Sequence, residues 1–189
     1  MDRDTAEAQV LQTANALFYE RGIQAVGMDA IRDAAGVSLK RLYQLFPAKE
    51  ELVEACLRER DRGVRNTLDR FTANAATPRD RVLAIFDWLD EWFREPDFRG
   101  CGFINAFGEM GPSSPRVTAA VHDQKVWLHQ HIGELVRMAN GPDWLADQLF
   151  ILANGAMVTA AILGSPEPAQ QARTAAEHLL EAADVANTP

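Results

Sequence analysis

The stretch Met28-Asp29-Ala30-Ile31-Arg32-Asp33-Ala34-Ala35-Gly36-Val37-Ser38-Leu39-Lys40-Arg41-Leu42-Tyr43-Gln44-Leu45-Phe46 decides how the chain is read. Apolar residues recur at helical spacing on both sides of Ala35-Gly36-Val37, which points to two short helices over 28–34 and 38–45. Helices this short are unstable alone, so they must pack on neighbours through Ile31, Val37, Leu42 and Phe46. Gly36 allows a sharp turn between them, and Ser38 can cap the second. Leu39, Lys40, Arg41, Tyr43 and Gln44 are then free to project into a major groove. Taken alone, Ala-Gly-Val-Ser fits an ordinary helical corner equally well, with Gly36 as a C-cap and Lys40-Arg41 as a solvated face.

Outward from this segment the helical period continues. A helix over 4–21 carries Val10, Ala14, Leu17 and Phe18 on one face, and Gly22 is placed to end it in a left-handed cap. Another begins after Pro47 with Glu50 and Glu51 in its first turn and runs towards Phe71. Beyond a loop at 73–78, helices are expected over 79–95, 102–110, 116–139, 142–163 and 167–186, with turns at Pro96-Asp97 and over 111–115. No strand-length alternating run is bounded by hairpin signals, so the fold class is all-α.

The order of the N-terminal residues narrows the choice left open at the corner. Leu17-Phe18, Gly22, Ile31, Ala35-Gly36-Val37-Ser38, Leu42-Tyr43, Phe46-Pro47 and Lys49-Glu50-Glu51-Leu52 fall in one register that resembles the DNA-binding domain of the TetR family of bacterial repressors, over about residues 8–56. The resemblance implies a three-helix helix-turn-helix head over 1–47, braced by a long fourth helix, and a ligand-binding and dimerisation body over 48–189. It implies that Leu39, Lys40, Arg41 and Gln44 face base edges or neighbouring phosphates, while Tyr43 and Lys49 hold phosphates. It also implies a homodimer built on the last two helices, and a repressor released from operator DNA by a small molecule. Three positions depart from the family pattern. Val26-Gly27 stands where Thr is frequent, Leu45 where His is frequent, and Ala48 where Ser or Asp usually caps the fourth helix. Each removes one phosphate contact or cap, which bears on affinity and pose rather than on the fold.

Composition sets the remaining bounds. The 189 residues are 47% hydrophobic and 24% charged, which suits one or two compact domains. Cys56 and Cys101 form no CxxC pair, so neither a disulfide framework nor a thiolate zinc site is expected, and a reducing cytoplasm fits. The charged start carries no apolar signal core. The most apolar stretch, 150–163, falls short of the roughly 20 residues of a membrane helix, so no membrane span is expected. The net charge of -8 argues at first against nucleic acid. Yet residues 1–65 hold 10 Lys and Arg against 11 Asp and Glu, and the remainder holds 9 against 16. The acid therefore lies in the body, and the head can still present a basic face.

The body carries a dense aromatic group, most of which should be core. Asn105, His131 and Asn154 fall on otherwise apolar faces, where an amide or imidazole needs either a partner or a cavity. Trp88, Trp92, Phe103, Asn105, Phe107, Met110, Trp127, His131, Asn154 and Met157 are the expected contacts of an apolar or aromatic effector. The last two helices are rich in small residues, among them Ala153, Gly155, Ala156, Ala160, Ala172, Ala175, Ala176 and Ala183. With Leu149, Leu152, Leu179 and Leu180 they suit a two-fold four-helix bundle, the alternative being an intramolecular pair.

The rival classes are a small helical enzyme and a helical interaction protein without DNA binding. His129 and His131 point to nearly opposite faces of one helix and cannot share a metal. Cys101 has no sequence-evident base, and neither a Gly-rich phosphate loop nor a Gly-x-Ser-x-Gly elbow is present. No catalytic residue, metal or cofactor is therefore expected. An interaction protein would not require the ordered head.

Overall fold

In a computed structural model, residues 2–186 are described; Met1 and 187–189, the outer ends of the two expected domains, lie outside them. The described residues form nine α-helices and no strand: α1 (Arg3–Arg21), α2 (Met28–Ala35), α3 (Leu39–Leu45), α4 (Lys49–Ala73), α5 (Pro78–Phe93), α6 (Gly102–Met110), α7 (Pro115–Met138), α8 (Asp143–Leu163) and α9 (Glu167–Ala186). A single 3-10 turn, Gly111–Ser113, links α6 to α7.

Two compact units emerge. One comprises residues up to Gly63 together with Gly102–Gln124, and the other comprises Val64–Cys101 with residues from Lys125 onward. The first thus groups α6 and the start of α7 with the three-helix head and the first part of α4.

In the first unit, α1 buries Ala6, Val10, Ala14 and Phe18, a stripe at i, i+4, i+8 and i+12, while Leu17 stays on its edge. Asp2 caps α1 by accepting from the Thr5 N–H at 2.9 Å. Gly22 ends α1 with φ 86° and ψ 150°, so it has positive φ but an extended ψ, not the left-handed cap expected from sequence. A Cβ on Gly22 would lie 3.3 Å from the Glu109 carboxylate, which occupies the space beside it. Between α2 and α3 the expected device is present: Gly36 adopts φ 63°, ψ 29°, and its N–H reaches back to α2 carbonyls.

In the second unit, α5 buries a nearly continuous face, Val82 to Phe86 with Leu89 and Phe93, against α8 and α9. Helix α8 buries Leu145, Ala146, Leu149, Ala153, Ala156, Met157 and Ala160, and α9 buries Ala169, Ala172, Ala176, Leu180 and Ala183. The small residues thus serve largely as an intramolecular seam between α8 and α9, the alternative that sequence reasoning held second. Helix α8 runs 21 residues from Asp143, longer than its most apolar stretch suggested, and by length and composition alone it could cross a membrane. One face packs on α5 and α9, as in the core helix of a folded domain.

Candidate nucleic-acid interface and effector residues

The short α3 is held by its capped start and its buried side. The Ser38 hydroxyl accepts from the Arg41 N–H at 3.1 Å. Leu42 is fully buried and Phe46 nearly so, so the opposite side of α3 must face outward. Successive residues turn by about 100° around a helix. Leu39, Lys40, Tyr43 and Gln44 therefore share one outward face, whereas Arg41 falls on the flank and is half-buried. Leu39 is 39% and Tyr43 46% exposed on this face. No acidic residue stands in α3. On α2, Arg32 is bound to Asp29 at 3.1 Å and Asp33 at 2.7 Å, so both acids of that helix are already partnered. These hydrogen bonds and charges hold its guanidinium pKa above the ordinary value.

Lys49, the expected phosphate contact at the start of α4, is half-buried with its Nζ 6.0 Å from the centre of the Phe18 ring. Burial lowers its pKa, partly opposed by the Glu109 charge. The departures from the family pattern have visible consequences at α2, where Gly27 supplies no side-chain cap.

Sequence reasoning missed what holds the head's first connection. The Glu109 carboxylate accepts from the backbone N–H groups of Ile23 at 3.0 Å and Gln24 at 2.8 Å, and the Gln24 side-chain amide donates to the Glu109 carbonyl at 2.6 Å. The end of α6 is thereby latched to the loop between α1 and α2. Helix α4 is tied to the start of α7 within the same unit: Ser114 Oγ donates to Glu50, and Arg116 lies 3.2 Å from Glu54. The Glu54 carboxyl falls below its usual pKa because hydrogen bonds from Arg58 and Arg116 outweigh its burial. Nothing local in the sequence marks a carboxylate that reaches across 86 residues to a loop N–H.

The ten expected effector contacts divide between the units. Trp88, Trp92, Trp127, His131, Asn154 and Met157 belong to the second. Trp88 and Trp92 lie 5.5 Å apart between ring centres, and Trp92 meets Phe98 edge-on at 5.2 Å. Trp127 stacks on His131 at 5.2 Å under the Arg65 guanidinium. His131 Nδ1 lies 3.2 Å from Asp69, while its Nε2 is buried without a partner among the described residues. Burial lowers the His131 pKa, and the charges of Asp69 and Glu134 oppose this. Asn154 is satisfied inside the chain: it accepts from Lys125 at 2.7 Å and donates to the Phe150 carbonyl at 2.8 Å. Met157 is buried. On α6, Phe103 is buried and Met110 half-buried, whereas Asn105 and Phe107 are exposed, Phe107 by 50%. Helix α6 has only two buried side chains, Phe103 and Ala106, and Asn105, next to Ala106, lines a trough between α6, α1 and α4.

Comparison with known proteins places this architecture among helix-turn-helix regulators. The sequence model of bacterial regulatory proteins of the tetR family matches residues 10–56. The transcriptional activator FasR of Mycolicibacterium smegmatis is 43% identical over 125 residues, covering 64% of this chain and 54% of that protein. The transcriptional repressor KstR2 of the same organism is 30% identical over 78 residues, covering 41% of this chain and 38% of that one. The chain thus spans about half the length, or less, of these curated relatives. The crystal structure of a TetR-family transcriptional regulator from Streptomyces coelicolor superposes with a TM-score of 0.87 at 31% identity, covering 95% of this chain and 96% of that one. The chain belongs to the TetR family.

Proposed function

We propose that the chain is a transcriptional regulator that binds operator DNA as a homodimer in the cytoplasm and represses until a small apolar or aromatic effector releases it. One observation carries the DNA reading: Leu39, Lys40, Tyr43 and Gln44 stand exposed together on a face of α3 without acid, backed by buried Leu42 and Phe46. Such a face offers an amide for an adenine edge, an ammonium for guanine or phosphate, a phenol for phosphate and an apolar group for a thymine methyl. Arg41 on the flank and Ser38 at the helix start would contact the DNA backbone, and Lys49 would hold a phosphate beside the head.

A single head reads one half-site, so two heads about 34–36 Å apart are needed for a strong operator. The surface for pairing is the outer stripe of α8. Trp144, Gln148, Ile151, Gly155, Val158 and Ile162 follow a seven-residue repeat, and Ile151 is 68% and Ile162 77% exposed. A groove formed by Gln148, Ile151, Leu152, Ala175, His178 and Leu179 continues this surface onto α9.

For the effector, the supporting feature is the aromatic group of the second unit with the partnerless His131 Nε2, a buried polar atom that a ligand would satisfy. Trp88, Trp92, Trp127 and Met157 would supply apolar contact. Such a ligand must bind the DNA-incompetent state more tightly, because equal affinity for both states shifts nothing. Activation is the second reading, favoured by the likeness to FasR, which extends well beyond the head. Selection of bound sequences from random DNA tests the first claim, and transcription in vitro from a promoter carrying the selected site tests the sign. Repression predicts less transcript with protein and recovery with effector; more transcript with protein would establish activation.

A further inference from the structure

We propose that the first compact unit carries a separate small-molecule site, a trough along α6 between α1 and α4 that takes an organic anion with an apolar body. The cavity there measures about 330 Å³, which lies at the small end of ligand sites. Its length follows from α6. Gly102, Asn105, Ala106 and Glu109 all line it, at i, i+3, i+4 and i+7, so it extends over two helical turns, about 10 Å.

The two ends differ in charge. At the Gly102 end the Arg60 side chain lies close on the α6 backbone: a Cβ on Gly102 would meet Arg60 Cδ and Nε at 3.2 Å. The guanidinium rests over the Tyr19 ring, 4.5 Å from its centre. Among the described residues Arg60 has no carboxylate partner. Helix α6 also begins here, so its first unpaired N–H groups add partial positive charge. At the other end, the Glu109 carboxylate is already committed to the N–H groups of Ile23 and Gln24. Phe18, Val53, Leu57 and Ala106 wall the space between them. Cys56 in the same wall stays a neutral thiol, its pKa pushed up by burial to about 12, so it adds apolar surface and no competing charge.

A half-buried guanidinium that lines a cavity and makes no ion pair with a carboxylate among the described residues is best satisfied by a planar anion that engages its fork, as a carboxylate does. The body of such a molecule would then lie along the apolar wall towards Ile23 and Glu109. Binding here does not depend on the effector contacts proposed in the second unit. Because Gly22, Ile23 and Glu109 line its far end, an occupant would bear on the latch that holds the α1–α2 loop.

The test uses the full chain with 2-naphthoate as probe and neutral 2-naphthamide, of nearly the same shape, as control. Calorimetry should show naphthoate binding at least about tenfold more tightly than the amide, the scale of one charge-assisted pair. Arg60→Gln should erase that difference and Arg60→Lys should keep most of it. Ala106→Leu, which fills the trough, should weaken both probes. Hydrogen exchange should slow at the Ile23 and Gln24 amides when naphthoate is bound. Absence of naphthoate binding, equal binding of acid and amide by the unmodified chain, or unchanged exchange at those two amides would overturn the proposal. The acid-to-amide contrast needs no variant, so it stands even if a substitution unfolds the head.

Discussion

Replacing Glu109 with alanine should loosen the head at one defined place. Two backbone N–H groups lose a charged acceptor, at 3.0 Å from Ile23 and 2.8 Å from Gln24. Ile23 is only 6% exposed, so water cannot fully replace the carboxylate there, and a hydrogen bond to a charged group contributes about 1.5–3 kcal/mol. Gln24 is exposed and rehydrates, so its loss adds only a few tenths of a kcal/mol. The sum is about 2–3 kcal/mol. For a chain of 189 residues that corresponds to a fall in Tm of about 4–12 °C. Glu109→Gln keeps one acceptor oxygen but turns a donor towards the other N–H, so it should lose roughly half as much. Thermal unfolding by circular dichroism gives the magnitude, and hydrogen exchange at the Ile23 amide gives the location. A Tm within about 1 °C of the unmodified chain, with unchanged exchange at Ile23, would refute the idea that this carboxylate holds the loop.

The α8 surface and the α8–α9 seam should respond differently to charge. Ile151→Glu should yield monomers that remain folded, whereas Ala156→Glu, in the intramolecular seam, should unfold the chain, since an unpaired buried charge costs several kcal/mol; light scattering with far-ultraviolet dichroism separates the two outcomes. Gly36→Ala should cost about 1–2 kcal/mol through backbone strain alone, because φ is 63° and an added Cβ meets nothing within 4 Å; a loss below about 0.3 kcal/mol in denaturant titration would count against that conformation. For His131, burial holds the folded pKa below the unfolded value of 6.5, so the unfolded state binds more protons. Its share of stability is present above pH 6.5 and is lost as pH falls from there through the folded pKa. His131→Gln should therefore flatten the decline in stability between pH 7.5 and 5.5, and an unaltered decline would contradict the buried neutral imidazole.

The sequence made most of the scaffold legible because its punctuation is local. Gly36 and Ser38 stand at helix ends, and the helices over 102–110 and 167–186 have the same bounds in the sequence reading and in the structure. The faces of α2 and α3 were equally readable, since Ile31, Val37, Leu42 and Phe46 had to be buried for two short helices to persist. What stayed hidden depends on distant partners. Nothing near Gly22 reveals that Glu109 will crowd it, nothing near Asn154 reveals Lys125, and Arg60 reads as one more surface charge until Gly102 and Tyr19 are placed against it. The small residues of α8 and α9 illustrate the same limit. Close packing was evident, but whether within one chain or between two was not, and most of it lies within the chain.

The central claim is that α3 reads DNA through its exposed face, and the affinity of Lys40→Ala for a selected operator tests it most directly. Lys40 is exposed in an α3 held by buried Leu42 and Phe46, so its removal should leave helicity, Tm and oligomeric state unchanged. Fluorescence anisotropy over a range of salt should show operator binding weakened by about tenfold or more, with the slope of log affinity against log salt reduced by up to about one unit. Unchanged affinity and slope in a folded Lys40→Ala protein, or no salt-dependent DNA binding by the unmodified chain, would contradict it.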